Sequence, residues 1–228
     1  VALGLWPGES TARRIALVGP TQQHVRAVMV EGVSGLMSVH APHERPALEI
    51  SKGQLVWPNG ATAQFFSAED PEGLRGPQFE AAWCDELGRW KRGVMAWDML
   101  QFGLRLGDHP RQAVTTTPRA GTLLKRIIAD EATAITKART VDNAANLAAS
   151  FIAEVTRVYA GTALGRQELD GEVITERPDS LWQRKWLVET RTKLAPEDMR
   201  RIVVAVDPPV TATDNADTCG IVVAGLGP

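Results

Sequence analysis

The chain has 228 residues, 44% hydrophobic and 23% charged, which is the composition of a globular protein and excludes wholesale disorder. Its formal net charge of -2 neither favours nor excludes a nucleic-acid partner, so any such contact must come from a local patch. No apolar run reaches the length of a membrane span and the N-terminus lacks the regions of a signal peptide, so a cytosolic protein with no membrane partner is expected.

Residues 13–20 (RRIALVGP) read as an apolar strand stopped by Gly19 and Pro20. Thr21 is placed to cap a helix in which Val25, Val28, Met29, Val33, Leu36 and Met37 recur on one face. His40 and His43 flank Pro42, but no second pair of ligand types lies nearby, so the spacing reads as a solvated loop and not a metal site. Residues 54–57 and 61–66 flank Pro58-Asn59-Gly60, and Asn-Gly between two β-favouring runs predicts a hairpin. The Pro- and Gly-rich residues 67–77 predict a loop carrying Arg75.

Residues 79–86 (FEAAWCDE) form a short, mostly small and apolar strand that runs into two adjacent acids, Asp85 and Glu86. A buried parallel strand tolerates acids only at its end, where the ligand crevice of an open α/β sheet lies. Because side chains alternate along a strand, the two acids can hold different tasks, one on Mg²⁺ and one polarising water. This is a Walker B arrangement. A solvated acidic turn gives the same short pattern.

A helix is expected over residues 89–106, with Trp90, Val94, Trp97 and Leu104 on one side. Residues 112–118 (QAVTTTP) predict a strand whose end presents Thr115, Thr116 and Thr117. Helices over 122–130 and 147–159, with a strand near 133–139 between them, continue the alternation of an α/β layered domain. The second helix is expected to bury Phe151, Val155, Val158 and Tyr159, and Gly161 to follow its end. Residues 165–178 read as a connector and 181–194 as a short helix. From residue 202 an apolar strand drives into Asp207, a loop runs past Asp214 and Asp217, and residues 218–225 return as a second strand. A domain boundary is expected within residues 176–196. Cys84 and Cys219 each read as a small hydrophobe in a buried strand, which suits a reducing compartment.

In this order and spacing the pieces resemble the large subunit of a tailed-phage DNA-packaging terminase, including the gene-transfer-agent form. The resemblance is carried by FSAE at 66–69, PEGLRGPQ at 71–78, AWCDEL at 82–87, TTTP at 115–118, RQEL at 166–169, VDPP at 206–209 and DTCGIVV at 217–223. It implies a P-loop ATPase domain of the additional-strand class over residues 1–175, a linker over 176–200, and the start of an RNase H-like nuclease domain over 201–228. Position by position it implies that Asp85 is the Walker B magnesium ligand, Glu86 the catalytic glutamate that orients water, and Thr115 to Thr117 the coupling motif. Arg75 resembles the arginine that precedes Walker B, in a phosphate-contacting or intersubunit role. Asp207 resembles the first acid of the nuclease metal cluster, with Asp217 an accessory acid.

The same resemblance implies ATP and Mg²⁺ as cofactors, with Mg²⁺ or Mn²⁺ at the nuclease site. The implied partners are double-stranded DNA, a portal protein, a small terminase subunit and a homo-oligomeric ring, and the implied setting is the host bacterial cytoplasm. The phosphate-cradling G-x-x-x-x-G-K-[ST] loop does not occur in the 228 residues, and neither do the later nuclease acids. The chain is therefore expected to be an internal fragment with unpaired strand edges, inactive alone. A helicase-type translocase, a stand-alone RNase H-like nuclease or integrase, and a non-catalytic binding module remain the alternative readings.

Overall fold

The computed structural model describes residues 12–119, 121–174, 184–193, 195–208 and 219–227. The chain divides into two compact units, one up to residue 175 and one from residue 176.

The first unit is built on a six-stranded mixed sheet. Its elements in chain order are β1 (Arg14–Gly19), α1 (Gln22–His24), α2 (Leu36–Val39), β2 (Ala47–Glu49), β3 (Gln54–Val56), β4 (Thr62–Ser67), β5 (Ala81–Asp85), α3 (Gly93–Gly103), β6 (Arg111–Thr115), α4 (Thr122–Ile128), α5 (Ala149–Tyr159) and α6 (Ala163–Glu168). The strand order is β2-β3-β4-β1-β5-β6, with β4, β1, β5 and β6 parallel and β2 and β3 antiparallel to their neighbours.

Central strand β1 is buried on both faces, as a near-continuous apolar run in a parallel sheet must be. Ala16 and Val18 face a core with Leu74, Phe79, Trp97 and Leu100, whereas Ile15 and Leu17 face one with Met29, Leu55, Trp57 and Phe65. The hairpin at residues 58–60 forms as expected, with Gly60 at φ +81° in the left-handed region that glycine enters without a Cβ clash. Short strand β2, which has no clear alternation, extends the antiparallel edge.

Several expectations are corrected. The helix from Thr21 does start under its cap, the Thr21 hydroxyl accepting the His24 N–H at 3.0 Å. It then widens into a π-helical stretch at Val25–Val30, and the Glu31 N–H reaches back five residues to the Arg26 carbonyl. The widened turn rotates the apolar face, so Val25, Met29 and Val30 are buried while Val28 and Val33 are exposed. The chain breaks before α2 near Gly32 and Gly35.

In α3 the buried stripe is Ala96, Trp97, Leu100 and Gly103, and Val94 lies outside it. Residues 133–139 form no strand; among the described residues no neighbouring strand supplies the ladder hydrogen bonds that β-favouring side chains alone cannot replace. Phe151, Val158 and Tyr159 of α5 are exposed and Val155 is only partly buried, because the short elements that α5 contacts cover part of its apolar stripe. Residues 163–168 are helix α6, capped by the Thr162 hydroxyl on the Gly165 N–H at 2.9 Å, so the expected connector is partly regular structure.

His40 is buried and not solvated: its Nδ1–H donates to the Leu36 carbonyl at 2.6 Å and its Nε2 accepts the Trp57 indole N–H at 3.1 Å. The second unit contains α7 (Arg184–Glu189), β7 (Arg201–Asp207) and β8 (Gly220–Leu226), the strands pairing as an antiparallel ribbon. Both faces of the ribbon are exposed, and Cys219 beside it is exposed too, unlike Cys84. A two-stranded ribbon has no second layer to bury its side chains.

Candidate active site at the carboxyl ends of the central strands

Asp85 is the last residue of β5, which lies between β1 and β6, and it pairs in register with Thr115 at the end of β6. The Thr115 hydroxyl donates to Asp85 Oδ1 and accepts the Trp83 indole N–H at 3.1 Å. The Cys84 carbonyl also lies 3.4 Å from this hydroxyl, but the nearer, charged carboxylate is the stronger acceptor for its single proton. The other carboxylate oxygen, Oδ2, lies 2.9 Å from Nε2 of His24, the last residue of α1, which follows β1. Asp85 is thus held from both sides by residues of the two flanking strand–helix segments.

Glu86 is a non-glycine residue in the left-handed region, with φ 51° and ψ 44°, alone in this among the described residues. Such a backbone costs about 1–2 kcal/mol. It turns the chain sharply out of the strand and into the short turn Leu87–Arg89. Partial burial raises the Glu86 pKa above the usual carboxylate range. The Asp85 charge adds to the rise, Arg89 and His24 oppose it, and Glu168 at the end of α6 adds a little more. Raising a carboxyl in this way makes its ionised form a stronger proton acceptor.

The turn after Glu86 is fixed to the end of β6. The Gly88 N–H donates to the Thr116 hydroxyl at 2.8 Å, and that hydroxyl donates in turn to the Thr117 carbonyl at 2.9 Å. The Trp90 indole N–H donates to the Asp85 carbonyl at 3.0 Å. A Cβ on Gly88 would lie 3.0 Å from the Thr117 carbonyl oxygen, so only glycine allows this approach without a shift. Thr115 thus bonds to Asp85 itself and Thr116 to the turn after the acidic pair, while Thr117 takes part through its carbonyl.

Arg75 follows the short turn Pro71–Leu74, is mostly exposed, and pairs with Glu72 at 3.2 Å instead of reaching Asp85. Asp207 ends β7 in the separate two-stranded sheet, exposed and paired in register with Gly220. Asp217 lies outside the described residues. Among the described residues no group of three or more His, Cys, Asp or Glu could hold a metal ion.

Sequence reasoning missed His24, Trp83 and Trp90. His24 lies 61 positions from Asp85, and only the adjacency of β1 and β5 joins them. Glu168 was within a motif already singled out, but its approach to Glu86 needed helix α6.

A sheet of parallel central strands ending in an acidic pair beside a threonine-rich neighbour defines the class, a mixed α/β domain with its site at the carboxyl edge of the sheet. The family model described as terminase large subunit, T4-like virus type, N-terminal, matches residues 4–189, and the chain belongs to this family. Comparison with curated proteins gave no match.

Among solved structures, the large terminase from a thermophilic bacteriophage superposes with a TM-score of 0.58 at 13% identity, over 71% of this chain and 41% of that one. The same large terminase in complex with ATP-gamma-S gives 0.54 at 13% identity, over 71% and 40%. The large terminase ATPase domain of Thermus phage P74-26 gives 0.47 at 16% identity, over 71% and 76%. The matched region thus spans about two fifths of the first of these large terminases, and these likenesses concern the fold.

Proposed function

We propose that the first unit is the ATPase part of a phage or gene-transfer-agent packaging motor of the additional-strand P-loop class, acting on double-stranded DNA. In this reading the second unit begins an RNase H-like nuclease that cuts the concatemer. The observation that carries the ATPase reading is the Asp85–Glu86 pair at the tip of a central parallel strand, with Thr115 donating to the first acid. Support also comes from the family and from the thermophilic-phage large terminase in complex with ATP-gamma-S.

Asp85 fits a magnesium ion. Mg²⁺ in nucleotide sites takes hard oxygen donors, with one or two carboxylates sufficing beside waters and phosphates, so a cluster of three protein ligands is not required. When bound, the metal neutralises phosphate charge as phosphoryl transfer proceeds. Thr115 and His24 hold the Asp85 carboxylate in one orientation. Glu86, raised in pKa by partial burial, orients and deprotonates the attacking water. Thr116, hydrogen-bonded to Gly88, ties the end of β6 to the turn after Glu86 and is the coupling element with Thr115 and Thr117. In the same reading Arg75, exposed on its loop, acts on a neighbouring subunit of a homo-oligomeric ring or on a phosphate.

For the nuclease, Asp207 and Asp217 would share Mg²⁺ or Mn²⁺. Two-metal cleavage needs further convergent acids, and Asp207 is the only one of this pair among the described residues. The reading further assigns a portal protein and a small terminase subunit as partners, and the host bacterial cytoplasm as the place of action.

The test is ATP turnover and DNA packaging by the full-length large subunit. Glu86→Gln is expected to abolish turnover while nucleotide binding persists, and Asp207→Ala to spare turnover while DNA cleavage is lost. Wild-type turnover by Glu86→Gln would overturn the ATPase assignment. The 228 residues alone, which hold no G-x-x-x-x-G-K-[ST] loop, are expected to hydrolyse no ATP.

A further inference from the structure

Beyond the acidic pair, the turn after Glu86 and the segment after β6 enclose a cleft of about 440 Å³. Three cations line it, Lys91, Arg92 and Arg119, and among its described lining residues none is acidic. The chain as a whole carries a net charge of -2, so this concentration of positive charge is local. The walls beneath the cations are apolar and largely buried: Leu87, Trp90, Leu123 and Leu124. A low-dielectric floor strengthens the field of the charges above it.

The cations are available to a ligand. Arg92 and Arg119 are exposed and form no ion pair with a described residue, while Lys91 holds Glu69 at 2.9 Å in a highly exposed pair that an anion can displace. The eleven-residue helix α3 opens on the cleft at Gly93, with no side-chain cap and no acid in its first turn to satisfy its N–H groups.

We infer that this cleft is a docking site for backbone phosphates of duplex DNA, separate from the metal-nucleotide site. Apart from Thr122 and Trp90, its described polar side chains are all cationic. No Asn, Gln or carboxylate is among the described lining residues, and its one aromatic ring, Trp90, is buried and already donates its N–H to Asp85. Three cations beside uncapped helix N–H groups match the charge and the acceptor oxygens of a phosphate backbone, and phosphate contacts hold a duplex without reading its sequence, as a motor moving along DNA of any sequence requires. The inference rests on the packaging reading. The Gly88–Thr116 and Trp90–Asp85 hydrogen bonds connect the cleft wall to the candidate hydrolysis site, so a phosphate held here bears on the segment that carries the acidic pair.

The experiment titrates the full-length protein against a fluorescent random-sequence duplex of about 30 base pairs, and follows amide hydrogen exchange of residues 87–95 and 119–124 with and without DNA. Arg92→Gln/Arg119→Gln is expected to bind on the order of tenfold more weakly near 0.1 M salt, with a log K against log salt slope shallower by about 2. The protection of both segments seen in wild type is expected to be lost, and an unchanged circular dichroism spectrum shows that the variant is folded. Wild-type binding with no protection of these segments, or a double variant with unchanged affinity and slope, overturns the cleft and leaves the packaging reading standing. Absence of duplex binding by wild type overturns both. Protection of the segments by ADP alone, abolished by the double variant, reassigns the cleft to a mononucleotide and overturns the inference.

Discussion

Thr115 and Asp85 sit opposite one another at the ends of paired parallel strands, and the threonine hydroxyl donates to the aspartate carboxylate. The same hydroxyl accepts the Trp83 indole N–H at 3.1 Å. Thr115→Val keeps the shape and removes both hydrogen bonds. We expect stability to fall by about 1–2 kcal/mol in urea melts, because one bond goes to a charged group. ATP turnover by the full-length protein should drop at least tenfold, with Thr115→Ser restoring most of it. Undiminished turnover in the valine variant would detach the hydroxyl from the site.

Glu86 illustrates stability given up for position. Its left-handed backbone is free of steric cost only in glycine, so Glu86→Gly should stabilise the fold by about 1 kcal/mol, seen as a higher unfolding midpoint, while turnover is lost. A lower midpoint would mean that the glutamate side chain contributes more than its backbone costs.

The pH dependence of stability follows from the same residue. Burial, assisted by Asp85, raises the folded-state pKa of Glu86 above its unfolded value. Such a group favours the folded state most below the unfolded pKa and loses that contribution as pH rises through the folded one. Glu86→Gln, which cannot ionise, should therefore gain in melting temperature relative to wild type as pH rises from the normal glutamate range through the raised value. A difference that is flat with pH across that window would contradict the burial of this carboxyl.

Gly88 tests the close approach of the turn to β6. Its added Cβ would press on the Thr117 carbonyl and the Thr116 hydroxyl, both 3.0 Å away, and backbone cannot swing aside as a long side chain can. Gly88→Ala is expected to cost about 1–3 kcal/mol, measured by chemical denaturation. It should also slow turnover, because the turn also carries the Trp90 contact to Asp85.

Local signals in the sequence were enough where chemistry is set by neighbours along the chain. The apolar run of β1, the Asn59-Gly60 turn and the acidic end of β5 could be read directly, since strand alternation and turn geometry depend on residues a few positions apart. The same reasoning failed at residues 133–139 and on the apolar stripe of α5, because pairing and burial need a partner that local pattern does not specify. It also failed at Val25–Val30, where one extra residue per turn moved the buried face.

By itself the sequence determined that two adjacent acids end an apolar strand and that a run of threonines ends another. Tertiary structure alone decided that His24 and Thr115, 61 and 30 positions from Asp85, close on its two oxygens. The reason is the strand order β1-β5-β6: side-chain contacts across a sheet follow from which strands are neighbours, and that is settled by packing of the whole layer and not by any one segment.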